Sequence, residues 1–310
     1  MQSPRITLRQ LQVFVSVARL GSTVGAGSDI GLSQSATSAS LKELERALSL
    51  TLFERAGKGL RINESGRELL PLAHGVLDRA MEFQVAGRDA PAQVQSVRIG
   101  ASLTIADRIL PGLLAALLGD APRTASTWRS QIVVGNTASV CERVAAFELD
   151  IGLVEGSVSM PELRVSRWLQ DELVIVGDAA TARRMARFST PARLSRALGD
   201  EPWLLREPGS GTREAVDQAL LPRIRAYRRA IEIASNDAIQ GCVAGGIGVA
   251  CLSRWSIAPL LASGRLVEIA TPWTRIRRQC HWVVHRRKSF AAGLERLVGL
   301  LRDDRQPPME

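Results

Sequence analysis

Cysteine is scarce in this chain: 310 residues hold four (Cys141, Cys242, Cys251 and Cys280), with no CxxC pair. A disulfide framework is excluded, and the expected role is that of small buried side chains in a reducing compartment. Histidine is scarcer, with three, which leaves little material for a metal site or a Ser-His-Asp triad. GxSxG, P-loop and HExxH patterns are all missing, so the chain is not expected to be an enzyme. His281 and His285 stand four apart on a predicted strand, about 13 Å at roughly 3.3 Å per residue, too far to share an ion. No metal or cofactor is expected. Runs of eighteen apolar residues are absent, as is an apolar signal core near the start. The cytoplasm is the expected location, with no membrane partner.

What is present suits globular cores: 45% hydrophobic and 23% charged residues, in a chain long enough for two or three domains. The net charge of +9 points to a polyanionic partner, although only three of forty basic residues are lysine (Lys42, Lys58, Lys288). The surplus is uneven. Residues 1–90 carry eleven Lys+Arg against nine Asp+Glu, and residues 213–288 carry thirteen against five. That later segment is expected to favour an anionic effector or an acidic face on another subunit. Its runs Arg275-Ile276-Arg277-Arg278 and Arg286-Arg287-Lys288 read as solvated surface.

Helical spacing places Leu8, Leu11, Phe14, Val15 and Ala18 on one face over residues 8–20. Gly21-Ser22 breaks that helix, and Ser22 can cap a second one running to about Ile30. Ser33 can cap a third, from Gln34 to about Leu48, with Ala36, Leu41, Leu44 and Leu48 inward. This is a helix-turn-helix layout. Leu52–Arg55 and Leu60–Ile62 flank Ala56-Gly57-Lys58-Gly59, a hairpin that reads as a wing. Asn63 can cap a long helix from Glu64 to about Ala86, kinked or split at Pro71. Its apolar stripe (Leu69, Ala73, Val76, Ala80, Phe83) calls for a partner, most economically a second copy of the same helix. Residues 87–96 read as a linker. Short strands then alternate with helices, which implies α/β layering with much of the sheet parallel. Glycines Gly245, Gly246 and Gly248 precede a strand instead of following one, so they close a helix and do not form a dinucleotide fingerprint.

Over residues 8–66 the sequence resembles the LysR-type transcriptional regulators. The resemblance is carried by Leu8-Arg9-Gln10-Leu11, Phe14, Val17-Ala18, Gly21-Ser22 and Ser33-Gln34-Ser35-Ala36. It continues through Ser38, Leu41, Leu44-Glu45, Leu52-Phe53-Glu54-Arg55 and Glu64-Ser65-Gly66. It extends more weakly to about Leu301, where Gly100–Ile105, Arg206–Arg213 and Ala244–Gly248 look like the branch regulating carbon fixation and sulfur or cysteine metabolism. The resemblance implies an α/β protein with an N-terminal winged helix-turn-helix, a long linker and dimerisation helix, and a two-lobed effector domain like a periplasmic binding protein. The corresponding boundaries are 1–63, 64–90 and 91–310, with lobe I at about 91–165 plus 266–310 and lobe II at about 166–265. It also implies binding to double-stranded promoter DNA, a homodimer through residues 64–86 and a homotetramer. Thr23, Gly25 and Gly27 depart from the family's usual aromatic and alanines, and Ala39 stands where many members carry arginine.

By helix-turn-helix docking, Ser33, Gln34, Ser35, Thr37 and Ser38 are expected at base edges, with Lys42 at phosphate. In the wing, Arg55, Lys58 and Arg61 are expected at phosphate or minor groove. Small hydroxyls at three strand-to-helix junctions suit a small anion or carboxylate between the lobes: Ser102 and Thr104, Asn136 and Thr137, and Ser210, Gly211 and Thr212. Two other readings remain open. One is a constitutive DNA-binding regulator with a vestigial cleft. The other is a cytoplasmic solute-binding or enzymatic α/β protein.

Overall fold

The computed structural model describes residues 5–57, 59–88, 93–119 and 126–302. Lys58, residues 89–92 of the expected linker and the tail from Asp303 lie outside them. The chain divides into two compact units, one built on residues 1–95 and one on most of the remainder.

In the first unit, α1 (Leu8–Leu20), α2 (Thr23–Ile30) and α3 (Gln34–Leu48) precede the antiparallel hairpin β1 (Phe53–Ala56) and β2 (Gly59–Ile62). A long helix, α4 (Glu64–Arg88), follows. The expected caps form: Ser22 Oγ accepts from Gly25 N–H at 3.3 Å, and Ser33 Oγ accepts from Ala36 N–H at 3.2 Å. Asn63 Oδ1 accepts from Gly66 N–H at 2.9 Å. Each supplies a partner to a helix-start N–H that the helix itself leaves unsatisfied. Phe14 and Phe53 meet edge to face at 5.7 Å in a core shared with Leu11, Val17, Ala26, Leu41, Leu44 and Leu52. Leu8 and Ala36, expected inward, are exposed, while Val13 is buried. On α1 the reason is that it packs against α2, α3 and α4 at once, which shifts and widens its buried face, whereas Ala36 belongs to the exposed first turn of α3. The wing is tied back to the helices by Leu60 N–H donating to Gly21 O at 2.8 Å.

Gly27 explains one departure in α2. A Cβ there would lie 2.7 Å from Leu32 O and 3.0 Å from Thr37 Oγ1, so glycine lets α2 and the start of α3 approach closely. Gly25 has ordinary room, its nearest contact being Leu20 Cβ at 3.6 Å. There the usual helix penalty of about 1 kcal/mol relative to alanine has no steric return. The long helix runs unbroken through Pro71. One bond to the Arg67 carbonyl is forfeited, but Leu69, Ala73 and Leu77 pack on the core on either side. The same packing corrects the expected dimer stripe: Leu69 and Ala73 face their own unit, and the exposed apolar residues are Leu72, Val76, Met81 and Phe83.

The second unit begins with β3 (Gln93–Ser102), α5 (Leu103–Arg108), α6 (Leu110–Gly119), β4 (Ser126–Gly135), α7 (Thr137–Ala145) and β5 (Ile151–Glu155). A long strand, β6 (Leu163–Gly177), leads to α8 (Ala179–Met185), α9 (Pro191–Asp200), β7 (Pro202–Leu205), α10 (Gly211–Ile224), β8 (Arg229–Glu232), α11 (Asn236–Ala244) and β9 (Ala250–Ser253). The chain closes through α12 (Arg254–Ala262), β10 (Val267–Glu268), β11 (Ile276–His285) and α13 (Ala292–Arg302). One core gathers Val140, Val144, Leu149, Val154 and Val283; others lie around Trp203, Leu220 and Val249, and around Val174, Ile239 and Leu252. These define two lobes.

The parallel layering expected from the alternation holds for β3 with β5 and for β7 with β8. It fails around β6, where β9, β10 and β11 all pair antiparallel, and β11 is antiparallel to β5 as well. The physical reason is that β6 and β11 are two opposed crossings between the lobes, paired from Ile276–Leu173 to His285–Leu163. Asp178 and Thr190 cap α8 and α9, and Pro191 opens the second. Ile109 separates α5 from α6.

Candidate DNA-binding and effector sites

The exposed front of α3 carries Ser33, Gln34, Ser35 and Lys42, with Ser38 half-buried. Ser33 Oγ is engaged as the cap and lies 3.0 Å from Ser35 Oγ. Among the described residues the Gln34 carboxamide makes no hydrogen bond, and this is the group that reads adenine through two hydrogen bonds. Ser35, Ala39 and Lys42 share one face by their spacing, so alanine at 39 leaves a gap between the cap and the lysine. Thr37 is a correction. It is fully buried, and its hydroxyl donates to Ser33 O at 2.9 Å, so it supports the turn and cannot reach DNA. On the wing Arg55 is exposed, and Arg61 pairs with Glu54 at 2.9 Å, an exposed contact that a phosphate can exchange.

The seven effector candidates all lie at the caps or first turns of helices α5, α7 and α10, and they divide into two groups. Ser102 and Thr104 stand beside α11 of the other lobe, with Asn236 Nδ2 donating to Thr104 Oγ1 at 3.5 Å. Asn136, Thr137, Ser210, Gly211 and Thr212 stand on the side of α7 and α10. There Ala138 N–H donates to Gly209 O at 3.1 Å, and Asn136 Nδ2 donates to Glu207 Oε1 at 3.3 Å. Thr137 Oγ1 donates to Glu155 O at 2.9 Å, and Ser210 Oγ caps Arg213 N–H at 3.4 Å. Their polar groups are thus engaged within the protein. Ser102 differs: it occupies the N-cap of α5, is 3% exposed, and its hydroxyl has no partner among the described residues. Gln240 Nε2 and Ser256 Oγ are also buried without partners.

Sequence reading missed the charged groups at the seam between lobes. Buried Arg206 donates to Glu207 through Nε and Nη2, at 2.8 and 2.9 Å, and to Asn236 Oδ1 at 2.8 Å. Burial is the largest single influence and pushes the Glu207 carboxyl up, but the hydrogen bonds and charge of Arg206, a backbone hydrogen bond and the Asn136 amide together hold the group below its usual range. Arg278, expected on a solvated surface, is instead buried. Its Nη2 lies 2.7 Å from Asp171 Oδ2 and 3.3 Å from Glu155 Oε1, and Nη1 donates to Thr212 Oγ1 at 2.7 Å. Arginines 213, 228, 254 and 275 of the basic segment also pair with carboxylates. The four cysteines are free thiols. Burial raises Cys141 to about 11 and Cys251 to about 12, which keeps both protonated and poorly nucleophilic.

The helix-turn-helix model of bacterial regulators of the LysR family matches residues 8–67, and the LysR substrate-binding domain matches residues 92–306. The Escherichia coli K12 protein YeiE, an uncharacterized HTH-type transcriptional regulator, is 40% identical over 293 residues, covering 94% of this chain and 96% of its own. The regulator CbbR of Rhodospirillum rubrum is 29% identical over 301 residues, covering 95% of each chain. Among solved structures, ArgP of Mycobacterium tuberculosis superposes with a TM-score of 0.72 at 17% identity, covering 98% of this chain and 97% of its own. Full-length OxyR of Pseudomonas aeruginosa gives 0.67 at 21% identity, covering 96% and 95%. A capped helix-turn-helix with a docked wing, followed by a two-lobed α/β domain and matched over both parts, makes this chain a DNA-binding transcriptional regulator of the LysR family, not an enzyme.

Proposed function

We propose that the grip of this regulator on promoter DNA is altered by a small anion or carboxylate held at the seam near Ser102. The observation that carries this is the Ser102 hydroxyl, buried and unpartnered at a helix start. A native protein rarely leaves such a group unsatisfied. Hydroxyl and amide donors from Ser102, Thr104 and Asn236 suit an acceptor-rich ligand. Any ligand touching both lobes favours one spacing between them over others. A thermal-shift panel of inorganic anions, sugar phosphates, nucleotides and carboxylates tests the reading. At least one class should raise the melting temperature of the wild type, and Ser102→Ala should lose most of that shift. A panel without any response defeats the proposal and favours a constitutive regulator, and an equal response from the variant defeats the assignment to Ser102 and moves the ligand elsewhere.

DNA contact is assigned to Gln34, Ser35, Ser38 and Lys42 on α3, and to Arg55 and Arg61 on the wing. Gln34→Ala is expected to weaken binding to the preferred upstream sequence by about 1–3 kcal/mol and to leave non-specific binding nearly unchanged. Fluorescence anisotropy against specific and scrambled duplexes measures both. Equal loss on the two duplexes would assign Gln34 to the backbone. The exposed Leu72, Val76 and Phe83 of α4 support a homodimer through residues 64–86, with a homotetramer as the assembly at promoters. The location assigned is the cytoplasm; among the described residues no helix is long and apolar enough to cross a membrane.

A further inference from the structure

A groove of about 720 Å³ opens between α7 of one lobe and α10 of the other, closed at one end by residues 157–160. Its volume falls in the range of small-molecule sites. Ser102 and Thr104 do not line it, whereas Thr137 and Ser210 of the other group of effector candidates do. Ala138, Cys141, Val158 and Met160 give it an apolar lining. Cys141 is 3% exposed and its thiol is protonated, so it acts there as an apolar surface.

Negative charge predominates around the groove. Glu142, Glu214 and Asp217 line it against a single cation, Arg213. Arg213 is already matched: its Nε lies 2.7 Å from Asp217 Oδ2, and its Nη1 donates to Arg206 O at 2.9 Å. The other oxygen of Asp217 accepts from Tyr227 Oη at 2.8 Å. Two carboxylates are then left over. Glu142 is exposed and, among the described residues, makes no side-chain hydrogen bond or ion pair. Among the described residues Glu214 accepts from Gln218 Nε2 at 3.1 Å and from Ser157 N–H at 3.3 Å, both neutral donors. An acidic groove in a chain of net charge +9 runs against the protein's average field.

We propose that this groove is a second ligand site, for a small organic cation with an apolar body: a primary ammonium or amidinium between Glu142 and Glu214, and a hydrocarbon or ring on Ala138, Val158 and Met160. Glu142 belongs to one lobe and Glu214 to the other. A bound cation therefore bridges the lobes beside the bond that Ser157 N–H already makes to Glu214, and favours the closed spacing. This gives the domain an input separate from an anion near Ser102, and it does not depend on that anion being found.

Benzylamine and benzoate have nearly the same shape and opposite charge, so they are the probes. Isothermal titration of the full-length protein at low salt should give saturable benzylamine binding in the millimolar range or tighter, with benzoate at least about fivefold weaker at the same site. Glu142→Gln combined with Glu214→Gln should weaken benzylamine by about fivefold or more. Ser159→Trp, which fills the groove from its exposed rim, should abolish binding without lowering the melting temperature. Three results overturn the proposal: no saturable benzylamine binding, benzoate binding as tightly as benzylamine, or benzylamine affinity indifferent to both the double variant and Ser159→Trp.

Discussion

Arg278→Met is expected to lower the stability of the two-lobed domain by about 3–5 kcal/mol, although methionine preserves most of the side-chain volume. The loss comes from what stays behind. Asp171 and Glu155 are 1% and 2% exposed, and Arg278 is their shared countercharge. Without it two carboxylates remain in an interior that cannot solvate them. For a domain of about 200 residues this corresponds to roughly 10 °C in melting temperature. The pH dependence identifies the cause. Burial already raises the Asp171 carboxyl above its usual range, and Arg278 offsets part of that rise. Removing the arginine raises it further, so the native variant retains a proton that the unfolded chain releases. Stability then falls as pH rises, and the deficit should be smaller at pH 5 than at pH 8. Replacing the whole cluster, with Asp171→Asn and Glu155→Gln added, should recover much of the loss, because neutral amides need no countercharge. A deficit independent of pH and not relieved by the triple change would assign Arg278 a packing role only.

Arg278 also illustrates what the sequence made legible. The helix-turn-helix was readable because its signals are local: Ser22, Ser33 and Asn63 cap helices in place, and Gly21 and Gly31 end them in the left-handed conformation. Arg278 sits in an Arg-rich run, and composition alone placed that run in solvent. The strand's two-residue period held the correction, since Arg278, Cys280, Trp282 and Val284 fall in one phase and all four are buried. What could not be read was the partner, because Asp171 lies 107 residues away on the opposing strand. The antiparallel crossings were obscured in the same way. Strand β6 is exposed or half-buried throughout Arg164–Gln170 and buried and apolar only from Leu173, so its first half carries no buried-strand pattern. Of the effector residues, those capping helices were legible from type and spacing. Their division between two sides of the seam depends on how the lobes meet, which no local pattern encodes.

The way the lobes meet is tested most sharply at Gly211. A Cβ built there would lie 1.9 Å from Glu155 O and 2.9 Å from Thr137 Oγ1. The first turn of α10 therefore rests directly on the end of β5, and only a hydrogen fits between. Gly211→Ala must move backbone against backbone by roughly 1 Å or more, a displacement no rotamer change can absorb, at a cost of about 1–3 kcal/mol or above. Because the obstruction lies between lobes, the damage should be confined to the seam. The amides of Ala138 and Ser157, bonded across it to Gly209 O and Glu214 Oε2, should lose hydrogen-exchange protection. The amides of Leu204 and Val249, bonded within one lobe to Val249 O and Pro202 O, should keep theirs. Ser210→Ala, one residue earlier, removes a cap worth about 1 kcal/mol and should leave the seam amides protected. A uniform loss across all four amides would mean that Gly211→Ala unfolds the domain as a whole. Unchanged protection would mean that the lobes already meet less closely in solution than this contact requires. The selective pattern would identify Gly211 as the residue that sets the closest approach of the lobes, and hence the spacing that any ligand at the seam must work against.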